Sequence, residues 1–296
     1  MSAGAVLVAG VLDATLREPP VAHPVRAIGR YLALAEKLMP AAPPARAALR
    51  GAAGWTAGAA LAVCAGAAVE RLAAGGPGQQ ALVRGAALWP LFAHRLLLDE
   101  VAAVEPALAG SLTAGRAAVG RIVSRDTAGL SEVEVRAAAI ESLAENLSDS
   151  VVAPLLWFAV GGLPAAALYR FANTADAVWG YRTPRWRYAG MLAARADDLL
   201  NLVPARLTGL VLLGRPGGLA ALRREARRTA SPNAGWPMAA LALRLGVRLA
   251  KPGAYTLNPA GRPPTAADTA AALRRARWCG WALAAGCALL AAARSR

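Results

Sequence analysis

Residues Glu141 to Ser150 read ESLAENLSDS, and the chain runs from there directly into VVAPLLWFAVGGLPAAALY, Val151 to Tyr169, nineteen residues without a charge. RFANTADAVWGYR follows at Arg170–Arg182, then AARADDLLNLVPARL at Ala193–Leu207. Burying a charge without a partner is costly, so acids, amides and arginines set against lipid-compatible runs mark the part of the chain where function is read.

The apolar run is about as long as a bilayer-spanning helix requires. Gly161-Gly162-Leu163-Pro164 interrupts it and is expected to break or kink the helix. A complete crossing would put the acids before the run and those after it on opposite faces. Two half-helices or a re-entrant hairpin would return the chain to the same side, as broken helices do where they line binding cavities.

Working outward, the composition fits this reading. Of 296 residues, 56% are hydrophobic and 17% charged, with mean hydropathy +0.38, which is more apolar than an ordinary soluble domain. Alanine, leucine and valine dominate, which favours helices over sheet. The expected fold is all-α, a polytopic helical membrane protein of about four to six membrane segments, formed as one membrane-embedded domain over residues 1–296. N-terminal membrane helices occupy 1–98, a polar core with the broken helix 99–214, and a basic region with a final membrane helix 215–296.

Met1–Leu16 lacks a basic leader and reads as an uncleaved first membrane helix, although it carries Asp13. Arg17–Arg50 is basic and proline-rich, which suggests a cytoplasmic loop. Gly51–Val69 is a second apolar segment, with Gly54 and Gly58 at GxxxG spacing. Gly75–Gly78 is a turn, and Ala81–Leu98 a third, imperfect segment. Asp99–Leu130 is polar and helical in pattern. Ser131 and Glu134 form a capping-box pattern opening the next helix. Leu199–Gly214 is apolar, Arg215–Arg277 is a second basic region, and Ala276–Ala293 is a final span.

The formal net charge is +15, almost all of it arginine, since Lys37 and Lys251 are the only lysines. Such a charge suits nucleic acid, an anionic membrane surface or an anionic substrate. The arginines are dispersed and no nucleic-acid-binding signature is present, so nucleic acid is not expected as a partner. Cys64, Cys279 and Cys287 lie in apolar runs and form no CxxC pair. Two histidines exclude a multi-histidine metal site.

Glu141, Glu145 and Asp149 fall at i, i+4 and i+8, on one helix face, with Asn146 beside them. Asn173 and Asp176 follow, flanked by Arg170 and Arg182, and then Arg195, Asp197, Asp198, Asn201 and Arg206. Two adjacent aspartates at the centre of a bilayer would cost roughly 5–7 kcal/mol, so they face water, a cation or an arginine. Carboxylates with amide oxygens suit Mg²⁺, and arginine forks suit phosphate and carboxylate. The residues alone fit two readings equally, a Mg²⁺–nucleotide and carboxylate-substrate site or structural ion pairs between helices. There is no GxxxxGK[ST], GxSxG or HExxH, so any nucleotide site is not of the P-loop kind.

In order, these segments resemble the membrane-bound adenosylcobinamide-phosphate synthase (cobinamide synthase) family of cobalamin biosynthesis. The pieces that carry the resemblance begin with His23-Pro24-Val25-Arg26, Ile28-Gly29-Arg30 and Val123 to Thr127. Glu141-Ser142, Glu145-Asn146, Ser148-Asp149, Ala153-Pro154-Leu155 and Gly161 to Pro164 follow. Then come Tyr169-Arg170, Asn173-Thr174, Asp176, Gly180-Tyr181, Ala194-Arg195, Asp197-Asp198, Asn201 and Pro204 to Leu207. Ser231 to Pro237 and Gly253-Ala254-Tyr255 complete the set. The chain departs from the family in having Arg17-Glu18-Pro19 for Gly-Asp-Pro, Ala177-Val178 for Ser-Met, and Ser150 for Gly.

The resemblance implies an ATP- and Mg²⁺-dependent ligase in the cytoplasmic (inner) membrane, with its active site facing the cytoplasm. It would join aminopropanol, or its O-phosphate, to the f-propionate of adenosylcobyric acid. Under this reading Asp149, Asp197 and Asp198 hold the metal. Glu145 or Asp176 is the base, and Arg195 stabilises the transferring phosphoryl group. Asn146, Arg170, Asn173, Tyr181, Asn201, Arg206, His23 and Arg26 bind substrate or phosphate. Other enzymes of the pathway are possible partners. A transporter, or a scaffold for corrinoid enzymes, is the alternative.

Overall fold

The computed structural model describes residues 3–16, 23–39, 43–214 and 218–294. The helices in chain order are α1 (Ala3–Leu16), α2 (Pro24–Lys37), α3 (Pro44–Leu72), α4 (Pro77–Leu88), α5 (His94–Ala102), α6 (Val104–Gly110), α7 (Leu112–Gly120) and α8 (Glu132–Leu147). After α8 come α9 (Ala153–Trp179), α10 (Trp186–Ala189), α11 (Met191–Leu200), α12 (Leu202–Leu213), α13 (Leu219–Ala226), α14 (Gly235–Leu245) and α15 (Ala266–Ala293). A small antiparallel hairpin, β1 (Leu249–Lys251) and β2 (Tyr255–Leu257), is the exception to an otherwise helical protein, with Lys251 paired to Tyr255.

Four stretches are long and apolar enough to cross a membrane: Pro44–Leu72, Pro77–Gly110, Glu132–Trp179 and Ala266–Ala293, with Ala3–Leu16 and Leu202–Leu213 as shorter apolar helices. The polytopic helical reading therefore holds. The described part of its first segment, α1, has 14 residues, about 21 Å of helix against a ~30 Å hydrocarbon core. It also buries Asp13.

The stretch expected as a basic loop is largely helical. Residues 17–22 and 40–42 lie outside the described residues, but between them stands α2, started by the His23 side chain accepting from Val25 N. Ile28, Tyr31, Leu32, Ala35 and Met39 recur every three or four residues and form one apolar face. This periodicity is obscured at sequence level by the surrounding arginines and prolines.

The residues gather into two compact units. The first comprises Met1–Ala93, Ala153–Asn201 and Ala284–Arg296. Its core joins the apolar face of α2 to Ala59, Phe171, Ala175, Trp179 and Ala193. Here the glycines of α3 matter. A Cβ on Gly58 would strike Phe171 and Tyr31, and one on Gly66 would strike the backbone of Leu163 and Pro164, so α3 and α9 approach closely only because these positions lack side chains.

The second unit comprises His94–Val152 and Leu202–Leu283. Its central element is α8, buried almost all round from Val135 to Leu147. The expected capping box starts it, with Ser131 Oγ and the Glu134 carboxylate each accepting from the other's backbone N–H. At Ser148–Val152 the helix widens into a π turn, so the α-helical phase that would place Asp149 directly above Glu145 ends at Leu147.

The expected break is present. Gly161 (φ −137°, ψ 16°) and Gly162 (φ 69°, ψ −159°) are non-helical. Pro164 then stands in the first turn of the second half-helix, where its missing N–H costs nothing. The break leaves the Leu163 N–H without a helical acceptor, and Glu70 Oε1 takes it at 3.1 Å. The other Glu70 oxygen lies 2.6 Å from Arg84 Nε.

Candidate functional site

The second half-helix of α9 presents Tyr169, Asn173 and Asp176 at i, i+4 and i+7, one face. On α11, Asp197 and Asn201 are likewise one turn apart. The two faces interlock. Asn173 Nδ2 donates to Asp197 Oδ1 at 3.2 Å, and Asn201 Nδ2 donates to the same oxygen at 3.0 Å. The Tyr169 hydroxyl donates to Asn201 Oδ1 at 2.8 Å. Tyr169 and Asn201 are buried. Trp157 Nε1 closes the end of α11 by donating to Leu200 O at 3.1 Å.

Asp198, next along α11, faces other partners. Adjacent helical residues do not share a face, and Asp198 sits in the field of Arg195 and Arg182 instead. Burial pushes both carboxyls above the ordinary carboxylate range. For Asp197 the amide donors of Asn173 and Asn201 oppose burial while the Asp198 charge adds to it. For Asp198 the two guanidiniums oppose burial. Asp176 is half-buried, and a Cβ on Gly180 would run into its Oδ1, so the turn after α9 needs glycine to leave room for that carboxylate.

Of the residues expected here, the first unit thus brings together Asn173, Asp197 and Asn201, with Asp198 and Arg195 adjoining. Arg170 is buried on a neighbouring face, where its Nε donates to Leu91 O at 2.8 Å. Tyr181 is exposed. His23 caps α2, and Arg26 stands exposed in its first turn.

The second unit holds the other expected residues. Asn146 is tied to its own helix, donating to Ser142 O at 3.0 Å. Arg206 Nη1 donates to Leu202 O at 2.7 Å and to Asn233 Oδ1 at 2.9 Å, and its guanidinium lies 5.1 Å from the Trp236 ring centroid. It thereby latches onto the Ser231–Pro237 turn, whose Ser231 Oγ accepts from the N–H groups of Asn233 and Ala234. Glu145 and Asp149 are half-buried. Among the described residues no group of three or more His, Cys, Asp or Glu side chains is placed to hold a metal ion, so Asp149, Asp197 and Asp198 do not form a closed carboxylate cage. Mg²⁺ does not require one, since one or two carboxylates with waters and substrate phosphates commonly suffice. Asp197 is faced by amide N–H donors and Asp198 by Arg195 and Arg182, so each carboxylate has the chemistry to supply one oxygen to such an ion, the rest of whose shell would be water and phosphate.

Several contributors carry no site role in the sequence reading. Tyr169 is an aromatic in an apolar run, and only the packing of α9 on α11 gives its hydroxyl a role. Glu70 meets the break at Leu163, ninety-three residues away along the chain, which no local pattern signals. Glu141 was legible as part of an acidic stripe, but its pairing with Arg125 at 2.9 Å was not.

These features define a helical membrane protein that keeps a partly buried acid–amide network on polar helix faces, with the exposed Arg182 and Arg195 beside it. The chain belongs to the CobD/Cbib protein family, which matches residues 6–279. It is similar to the cobalamin biosynthesis protein CobD of Geobacter metallireducens, 39% identical over 94% of this chain and 91% of that protein. CobD of Chromobacterium violaceum is 43% identical over 87% of this chain and 84% of that protein. CobD of Rhodobacter capsulatus is 49% identical over 59% of this chain and 57% of that protein. No solved structure matches.

Proposed function

We propose that this protein serves cobalamin biosynthesis as an ATP-dependent amide ligase, joining aminopropanol or its O-phosphate to the f-propionate of adenosylcobyric acid. The observation that supports it is the Asp197–Asn173–Asn201–Tyr169 network with Asp198 and its arginines, in a chain of the CobD/Cbib family. A scaffold or a simple anchor needs no such network.

A carboxylate does not condense with an ammonium ion in water, so the propionate must first be activated. Its oxygen attacks the γ- or the α-phosphorus of ATP, and the bond from that phosphorus to the leaving group, ADP or pyrophosphate respectively, breaks, giving a mixed phosphoric anhydride. Arg195 and Arg182 beside Asp198 suit the oxygens of the transferring group. Asp198 and Asp197 would hold Mg²⁺, which when bound neutralises phosphate charge. The amine nitrogen then bonds to the carbonyl carbon as the carbon–oxygen bond to phosphate breaks, and the proton that nitrogen sheds goes to a carboxylate, for which Asp176 stands in the same unit as Asp197 and Asp198. The site would face the cytoplasm, where ATP is found, from the cytoplasmic membrane.

The test is purified protein in detergent with adenosylcobyric acid, ATP, Mg²⁺ and either amine, with product read by mass spectrometry. Amide product with stoichiometric loss of ATP supports the reading. Absence of product from folded protein with both amines refutes it, and corrinoid uptake by vesicles alone would indicate a transporter.

A further inference from the structure

The basic stretch from Arg215 to Arg277 supplies no group to the proposed chemistry, and the fold sorts its charges by sign. It contains only two acids, Glu225 and Asp268, and both are buried. The Glu225 carboxylate accepts from Asn258 N at 2.9 Å and lies 2.8 Å from Arg228 Nε and 3.6 Å from Arg224 Nε. Arg262 holds Asp268 through two nitrogens, at 2.6 and 2.8 Å. Exposed on the same stretch are Arg223, Arg224, Arg227, Arg228, Arg244 and Arg248. Among the described residues Arg223 and Arg227 form no ion pair. Like charges gathered without counter-charges repel one another and weaken a fold unless an outside anion offsets them.

Two apolar helices of the same unit fix where these arginines stand. α12 ends at Leu213, and its last carbonyls meet α15, where Arg275 Nε donates to Leu212 O at 2.9 Å. The Arg275 guanidinium lies 4.5 Å from the Trp278 ring centroid. Trp278 is 55% exposed and Trp281, one turn on, 45%, with Arg274 and Arg277 exposed beside them. Beyond Arg277, α15 runs to Ala293 without a charge. Tryptophan and arginine at the end of an apolar helix mark the headgroup level of a bilayer. From the end of α12 the chain leads through Gly214–Gly218 into α13, which packs on α14 as α14 packs on α12. Leu222, Glu225 and Ala226 of α13 are buried. Arg223 and Arg224 occupy its last turn, and Arg227 and Arg228 follow directly.

We propose that this arginine face, centred on Arg223 and Arg227, is a docking surface for the anionic phospholipid headgroups of the bilayer that the long helices span. A guanidinium fork meets two phosphate oxygens at once, and arginine stems lie along apolar surface while their heads stay in the headgroup layer. The headgroup charge offsets the repulsion that the inward-turned acids leave uncompensated. Exposed indoles at the end of an apolar helix favour lipid over a soluble polyanion as the occupant. The proposal goes beyond the ligase reading and does not depend on it.

The experiment is native mass spectrometry of the full chain in detergent, offered phosphatidylglycerol or phosphatidylcholine with the same acyl chains. The wild type is expected to retain phosphatidylglycerol in preference, and the preference should fall as salt rises. Arg223→Gln combined with Arg227→Gln should lower the affinity for phosphatidylglycerol by about fivefold for each arginine and leave phosphatidylcholine retention unchanged. Arg224 and Arg228 still face Glu225 in this variant, so helix content and thermal midpoint should match the wild type. The control is Arg46→Gln with Arg50→Gln, which removes the same charge from exposed positions early in α3 and should keep the lipid preference. Equal retention of the two lipids by the wild type overturns the proposal. So does an equal loss in both double variants, because net charge alone then explains the binding. A wild type that retains neither lipid but binds a short RNA overturns it as well. Should the double variant not fold, Arg227→Gln alone decides, with a loss of about fivefold expected and no loss refuting the docking surface.

Discussion

Gly162→Ala tests how the broken helix is held. Gly162 has φ 69° and ψ −159°, a conformation that L-residues adopt only under strain of about 1–3 kcal/mol. A Cβ at this position would also stand 2.7 Å from Glu70 Oε1, the oxygen that accepts the Leu163 N–H. Moving that carboxylate away weakens a charge-assisted hydrogen bond, worth about 1.5–3 kcal/mol, in a partly buried pair with Arg84 whose side chains are 17% and 20% exposed. The substitution is therefore expected to cost about 3 kcal/mol, roughly a hundredfold in the unfolding equilibrium. The assay is denaturant-induced loss of helix in detergent micelles. Combining the change with Glu70→Ala separates the two contributions. Without the carboxylate the crowding disappears and only backbone strain remains, so the costs should be non-additive by about 1 kcal/mol. A Gly162→Ala protein within about 0.5 kcal/mol of wild type, or one with the same cost in both backgrounds, would refute the argument.

Other expectations follow from the same geometry. Asp198→Asn should insert and fold like the wild type but lose ligase turnover, and unchanged turnover would sink its role in holding Mg²⁺. Tyr169→Phe removes the donor to Asn201 Oδ1, a buried acceptor, and should destabilise by about 1–3 kcal/mol, measured by the same unfolding assay. Asp197 tests the sign of a pH effect. Its pKa is raised on folding, chiefly by burial, so the fold disfavours the ionised form, and stability present below the ordinary carboxylate pKa is lost as pH rises through the folded value. Asp197→Asn should accordingly be more stable than wild type at neutral pH, with the advantage shrinking as pH falls into the ordinary carboxylate range. Unfolding midpoints of both proteins across that range check it, and a neutral-pH penalty for the variant would contradict it.

What the sequence determined by itself was whatever local chemistry dictates. The capping box at Ser131 and Glu134, the glycine–proline break, the apolar runs and the helical character each depend on residues within one or two turns of one another. The face that places Asn173 near Asp176, and Asp197 near Asn201, was legible for the same reason. Helical periodicity also runs through α2, yet the basic, proline-rich composition of Arg17–Arg50 concealed it, and the buried face shows itself only against Phe171 and Trp179.

Tertiary structure decided which legible residues meet. Asn173 and Asp197 lie on different helices, and only the packing of α9 on α11 makes them partners. That packing also separates the adjacent aspartates into different surroundings, Asp197 among amides and Asp198 among arginines. Glu70 at the helix break and Arg125 beside Glu141 are pairings across ninety-three and sixteen residues, and the first of these leaves no periodic trace. A one-dimensional pattern records which side of a helix a residue occupies. Which group stands opposite it depends on where the chain returns, and burial then fixes how strongly the two interact.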